Sequence, residues 1–106
     1  MSRYLISGTY TAEGAKGLLR EGGSKRRATI ETLIREVGGS LEAYYWAFGE
    51  TDFYIIAELP DAATTAALGL TTSGSGLVRV QVTVLLTADE IDQATSKQIA
   101  YRGPGA

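Results

Sequence analysis

A carboxylate in a predicted turn is the group in this sequence best placed for acid–base chemistry. Asp52 closes the segment of residues 49–52, which begins with Gly49. A turn aspartate commonly accepts hydrogen bonds from nearby backbone N–H groups, and that structural role is the stronger expectation. A buried aspartate with a raised pKa could instead act as a base beside an aromatic pocket. Asp52 and Tyr45 are the candidate catalytic residues, and Asp52 and Gly49 are candidate ligand-binding residues.

A run of three cations, Lys25, Arg26 and Arg27, stands where a long helix is predicted to begin. The N-terminus of a helix carries partial positive charge and free N–H groups, so cations there suggest a bound anion. The alternative is that these side chains extend into water or pair with Glu21, Glu31 or a second subunit. Lys25 and Arg26 are accordingly candidate ligand-binding residues.

Aromatic side chains are concentrated in one short stretch of the chain. They could line a pocket for a flat apolar or aromatic ligand, although aromatic residues more often belong to a core or an interface. The predicted ligand contacts are Tyr44, Tyr45, Trp46 and Tyr54, and Phe48 lies in the same stretch.

The residue types that are absent narrow the chemistry. The 106 residues include no cysteine and no histidine, which removes thiolate chemistry, the commonest metal and haem ligands and the usual general base. No carboxylates have metal-ligand spacing and no glycines have the spacing of a phosphate-binding loop, so we expect no metal and no cofactor. A net charge of −2 argues against nucleic acid as a partner. No apolar run is long enough for a membrane span, and a cytoplasmic location is expected.

Alternating apolar residues predict the strands that carry these candidates. Strands two and three should form a hairpin across residues 49–52. The predicted strands cover residues 3–10, 40–48, 53–59 and 78–84.

Helical periodicity and capping residues predict the remaining elements. A helix should start at a Ser24 cap and end at the glycines 38–39, and a second should start at Asp61. Thr87 and Glu90 match a capping box for a short helix over about residues 88–99. Residues 11–21 predict at most a turn or two of helix, because glycines lower the propensity there.

The order β-α-β-β-α-β plus a C-terminal helix predicts one α+β domain over residues 1–106, with a core over 3–91 and a flexible tail over 102–106. This is the ferredoxin-like pattern, with a four-stranded antiparallel sheet and both main helices on one face.

The second face of such a sheet has no helices to cover it. Strands two and three are apolar on both sides, so a monomer would expose a large apolar patch, and a homodimer packed face to face is the favoured solution. The alternative is that the aromatic residues anchor the C-terminal helix or loops. If Glu58 is buried it needs a partner, and Arg79 is a candidate, either across the sheet or between subunits. The predicted interface residues are Tyr44, Trp46, Tyr54, Ile56, Arg79 and Gln81.

Several short motifs together resemble the GYD domain family, within the wider group of dimeric α+β barrels, over residues 4–91. Thr51 stands where the family has its name-giving tyrosine. The resemblance implies the fold and a dimer but no established reaction. The matching residues are Ser24-Lys25-Arg26, Gly38-Gly39, Tyr45-Trp46, Gly49-Glu50, Asp52, Glu58, Pro60-Asp61 and Arg79.

These observations leave three functions open. The first is a small homodimeric protein that binds a small molecule or has a structural or regulatory role. The second, suggested by analogy with dimeric α+β barrel relatives, is a cofactor-independent enzyme, monooxygenase- or isomerase-like, acting on an aromatic or quinone-like substrate. The third is an anion-binding module at Lys25.

Overall fold

The computed structural model describes all residues from 1 to 106. The elements follow one another in the order β-α-α-β-β-α-β-α. They are β1 (Ser2–Tyr10), α1 (Ala12–Glu21), α2 (Gly23–Glu36), β2 (Ser40–Trp46), β3 (Phe53–Leu59), α3 (Ala62–Gly74), β4 (Val78–Leu85) and α4 (Ala88–Ser96).

The four strands form one antiparallel sheet in the order β2-β3-β1-β4. This confirms the predicted ferredoxin-like α+β fold, in which the two central strands are first and third in the sequence. Helices α2 and α3 cover one face, α2 over β2 and α3 over β4. The core lies between that face and the helices, with Ile34, Ile55 and Leu59 almost completely buried.

Helix α1 is longer than the sequence predicts, and the reason is tertiary. Its Gly14 lies so close to the backbone carbonyl of Leu77 that a Cβ would overlap the oxygen. The hydroxyl of Thr11 accepts a hydrogen bond from the Gly14 N–H at 3.2 Å, which caps the helix. The glycine that weakens the helix in isolation is therefore the residue that allows it to pack.

The predicted Ser24 cap is wrong. Helix α2 begins at Gly23, its N-cap is Gly22, and no side chain bonds to its free N–H groups. Gly22 has a φ of 84°, a conformation that favours glycine. The chain turns between α1 and α2 at this one residue, which places Ser24 inside the first turn of α2.

The hairpin between β2 and β3 is also longer at its tip than predicted. Strand β2 ends at Trp46, so the connection spans residues 47–52 and Phe48 is fully exposed. The N–H of Ala47 donates to the carbonyl of Asp52 at 2.9 Å, which closes the connection. The N–H of Asp52 donates to the carbonyl of Gly8 at 2.8 Å, which joins it to β1.

The register of β2 corrects the predicted face of two aromatic residues. Tyr44 lies opposite Ile55, and Trp46 lies opposite Phe53, on the face that the helices cover. Tyr45 instead lies opposite Tyr54 on the open face. Placing Tyr44 and Trp46 with Tyr54 in one interface is therefore wrong. Alternation puts Tyr44 and Trp46 on one side of β2 but does not say which side of β3 they share, which the pairing across residues 47–52 decides.

The open face has a charged group at one end of the sheet. Arg3 lies 2.7 Å from the carboxylate of Glu42 and 3.2 Å from that of Glu58, and the Glu42 hydrogen bond raises the pKa of Arg3. Within one chain Glu58 therefore pairs with Arg3 and not with Arg79. Arg79 lies opposite Thr9, near the other end of β1, whereas Arg3 lies directly opposite Glu58.

No helix in the structure has the length and apolar character that a bilayer span requires.

Candidate functional site

Four aromatic side chains meet under the start of α2 and form what we call the aromatic cluster: Tyr10, Tyr44, Trp46 and Phe53. The rings of Tyr44 and Trp46 are stacked, with centroids 4.2 Å apart and planes 25° from parallel. The indole Nε1 of Trp46 donates a hydrogen bond of 3.0 Å to the Tyr10 hydroxyl. The rings of Tyr10 and Phe53 are 5.3 Å apart. Trp46 is therefore held by a stacked ring and by a hydrogen bond.

The hydroxyl of Tyr44 is tuned by its surroundings. Burial is the largest effect and raises the pKa of Tyr44; the neighbouring Tyr10 hydroxyl raises it further, while the Arg26 guanidinium acts in the opposite direction. Burial favours the neutral phenol because a tyrosinate would lose its hydration. Tyr44 therefore remains a neutral hydroxyl at physiological pH and does not act as a base.

A cleft of about 420 Å³ lies beside Trp46, between α1 and the tip of the hairpin. Its lining is mostly apolar, and Tyr10, Trp46 and Phe48 are its aromatic residues. The full lining is Tyr10, Ala15, Leu18, Gly23, Trp46, Ala47, Phe48 and Asp52. We call this the Trp46 cleft. Its volume falls within the range of about 300–1,000 Å³ that is usual for small-molecule sites.

Asp52 lies in this cleft, and the structure shows what its carboxylate does there. Oδ2 accepts a hydrogen bond of 2.8 Å from the backbone N–H of Tyr10. This confirms the structural expectation for a turn aspartate. The bond satisfies the last N–H of β1 and sets the hairpin against that strand, so the carboxylate helps to position Tyr10.

A second, smaller space lies between the sheet and helices α2 and α3. These two helices make no substantial contact with each other, and the crevice between them has a volume of about 60 Å³. Its walls are largely aliphatic, with Arg26, Tyr10 and Tyr44 among the lining residues. A space of this size holds a few water molecules but is too small for an ordinary ligand.

A model of the GYD domain matches residues 4–95. The chain belongs to the GYD domain family. Comparison with curated proteins and with solved structures finds no match. Family membership agrees with the observed fold.

The GYD domain brings together only part of the predicted site. Trp46 and Asp52 line the Trp46 cleft, with Tyr44 stacked on Trp46. Arg26 is half-buried beside Tyr44 but lies outside this cleft. The aromatic cluster and the cleft therefore join three of the residues named from sequence.

The other predicted residues lie elsewhere. Tyr45 and Tyr54 are on the open face of the GYD domain and are 71% and 42% exposed. Lys25 is exposed and lines neither the cleft nor the crevice. Gly49 has a φ of 149° at the exposed hairpin tip, and no atom lies within 4 Å of where its Cβ would be. Thr51 is half-buried in the same connection.

Sequence reasoning missed Leu18 as a wall of the cleft and the Tyr10 hydroxyl as the partner of Trp46. The sequence does not indicate Leu18, because it predicts at most a turn or two of helix over residues 11–21. Only one feature of the sequence points to Tyr10, namely that it is the last residue of an alternating strand. No group of three or more His, Cys, Asp or Glu side chains that could hold a metal lies together in this GYD domain.

Proposed function

We propose that this GYD domain is a non-catalytic binding protein for small, flat aromatic molecules, and that the ligand binds in the Trp46 cleft. The observation that carries the proposal is the fixed orientation of Trp46, which is stacked on Tyr44 at 4.2 Å and bonded to Tyr10 at 3.0 Å. A ring that is already immobilised loses little conformational entropy when a ligand stacks on it, so more of the contact energy appears as affinity.

The cleft also has polar groups that would orient such a ligand. Tyr10 and Asp52 both belong to its lining, whereas the rest is mainly aromatic and aliphatic. A mostly apolar site with a few placed polar groups is the usual composition of a small-molecule pocket. Flat ring compounds that carry carbonyl or hydroxyl groups, such as quinones and phenols, match this arrangement.

The single tryptophan makes the proposal directly measurable, since all indole fluorescence comes from Trp46. Titration with menadione, a naphthoquinone, and with 1-naphthol should quench this fluorescence saturably, after correction against free N-acetyltryptophanamide. Phe48→Ala removes one aromatic wall and should weaken binding about three- to tenfold, because an aromatic contact contributes about 0.5–1.5 kcal/mol. Leu19→Ala is the matched control, since Leu19 is 86% exposed and lies outside the cleft.

Two results would overturn the proposal. One is quenching that rises linearly with both compounds, as it does for free indole in solution. The other is saturable quenching that Phe48→Ala and Leu19→Ala leave equally unchanged, since the compounds would then bind at another place.

We also propose that the domain is a homodimer, with the open sheet face as its interface. That face carries the predicted residues Tyr54, Ile56, Arg79 and Gln81, together with the exposed Tyr45. A stable interface buries more than about 1,000 Å² in total and usually has an apolar centre, which Ile56 and Tyr54 would supply. Sedimentation equilibrium should show a dimer that Ile56→Arg dissociates. A wild-type chain that sediments as a monomer at 100 µM would refute the interface.

The alternative functions stay predictions. Catalysis without a cofactor is supported only by analogy of fold, and the Asp52 carboxylate is already bonded to backbone. Anion binding at Lys25 is supported by the uncapped start of α2 alone. The cytoplasmic location likewise stays a prediction.

A further inference from the structure

The last helix is separate from the rest of the domain. Helix α4 makes no substantial contact with any other helix or strand, and every residue from 86 to 102 is exposed. The radius of gyration is 16.9 Å, against about 13 Å for a compact chain of this length. We call residues 86–101 the C-terminal arm. It carries the exposed apolar side chains Leu86, Ile91, Ile99 and Tyr101.

Local interactions alone do not hold such a helix. Its capping box is complete, with Thr87 and Glu90 bonding to each other's backbone N–H groups at 3.0 and 3.1 Å. A helix of nine residues is nevertheless marginal in water even when its sequence is favourable. A surface that covers Ile91 would therefore stabilise α4.

The charges of α4 favour one surface of the domain as its partner. The first half of α4 carries Asp89, Glu90 and Asp92 and no cation. The start of α2 has the opposite composition, with no acidic residue in its first turn. There Arg27 lies 3.7 Å from Glu31, whereas Lys25 and Arg26 take part in no ion pair.

The two surfaces lie at opposite ends of the same sheet. The arm leaves from Leu85, which is opposite Arg3, and Glu90 is close enough to contribute to the raised pKa of Arg3. The start of α2 packs beside Trp46, at the end where Tyr10 is opposite Val78. Seven residues of β4 separate the two ends by about 23 Å. Within one chain the acidic helix and the basic helix start are therefore kept apart, whereas two copies can pair them reciprocally.

We propose that the C-terminal arm of one copy packs on the start of α2 of a second copy, with its acidic residues on Lys25 and Arg26. Gly23 lines the Trp46 cleft, so a partner's arm at this place borders the ligand site. The inference rests on the homodimer of the proposed function only in requiring two copies. It adds a contact outside the open sheet face and places the partner's arm beside the Trp46 cleft.

Charge reversal tests the pairing. Asp89→Lys with Asp92→Lys leaves the capping box intact and should raise the dissociation constant of the dimer about tenfold in 50 mM salt. Lys25→Glu with Arg26→Glu should do the same, and the chain carrying all four changes should return close to the wild-type value. Glu36→Lys with Glu50→Lys is the control, because it changes the net charge equally at exposed residues outside any ion pair.

The readouts are sedimentation equilibrium for the dissociation constant and circular dichroism for folding. The arm proposal is overturned if the four changes together do not restore association, or if the arm reversal acts no more strongly than the control. If Ile56→Arg dissociates the dimer and the arm reversal does not, the sheet interface stands and the arm inference falls. If the arm reversal alone dissociates it, the arm is the interface and the proposed sheet contact falls.

Discussion

The indole Nε1 of Trp46 donates a 3.0 Å hydrogen bond to the Tyr10 hydroxyl, and this bond joins two strands that are not neighbours in the sheet. Strand β3 lies between them and contributes Phe53, whose ring is 5.3 Å from that of Tyr10. Phe53 can lie across the sheet at this point because its strand partner is Gly8, where a Cβ would overlap the Phe53 ring. The bond therefore holds the aromatic cluster together above a glycine.

Tyr10→Phe tests the Trp46 hydrogen bond with little change in packing. The ring remains, but the indole N–H loses its acceptor, so we expect the free energy of unfolding to fall by about 0.5–1.5 kcal/mol. The emission of Trp46 should also change, since its orientation would be held by Tyr44 alone. Urea denaturation and fluorescence measure the two effects. Tyr54→Phe is the control on the open face; an equal loss there would remove the special role of Tyr10.

Gly14 and Gly17 lie in the same helix and should respond oppositely to alanine. Gly14→Ala forces a Cβ against the Leu77 carbonyl, so α1 has to move and we expect a loss of about 1–3 kcal/mol. Gly17 has no atom within 4 Å of its Cβ position. Gly17→Ala should therefore stabilise the protein by about 0.5–1 kcal/mol, the usual difference in helix propensity. Thermal or urea denaturation of both variants decides the matter, and destabilisation by both would contradict the packing of α1.

Tyr44 should make the protein sensitive to alkali. Its pKa is raised in the folded state, so the unfolded chain loses this proton first as the pH rises through the ordinary value of about 10. The contribution of Tyr44 is therefore complete below pH 10 and is lost as the pH rises from there towards the folded-state pKa. Urea denaturation between pH 8 and 11.5 should show a weaker decline for Tyr44→Phe than for the wild type.

Tyr101→Phe is the control for this pH dependence, because Tyr101 is 80% exposed. It should follow the wild-type profile. Identical profiles for Tyr44→Phe and Tyr101→Phe would show that burial of the Tyr44 hydroxyl has no effect on stability.

The sequence by itself determined the fold of this domain. Alternating apolar residues locate all four strands, and the order of the elements allows few topologies once crossovers are right-handed. Helix caps could also be predicted, because they join residues that are close in sequence. Asp61 caps α3, accepting from the Thr64 N–H at 2.7 Å, and the Thr87 capping box forms as its spacing indicates. Motif and fold together were enough to indicate the GYD domain family, which the match over residues 4–95 confirms.

Only the tertiary structure decided which residues share a face and which share a cleft. The pairing of β2 with β3 across residues 47–52 places Tyr44 with the core and Tyr45 on the open face, and alternation within one strand does not indicate which of its sides meets the helices. Helix α1 depends on a close approach between Gly14 and Leu77, a contact between residues far apart in sequence. The Trp46 cleft forms only when β2 pairs with β3 in this way and α1 packs closely at Leu77. Its geometry follows from long-range packing, which the local pattern of residues does not encode.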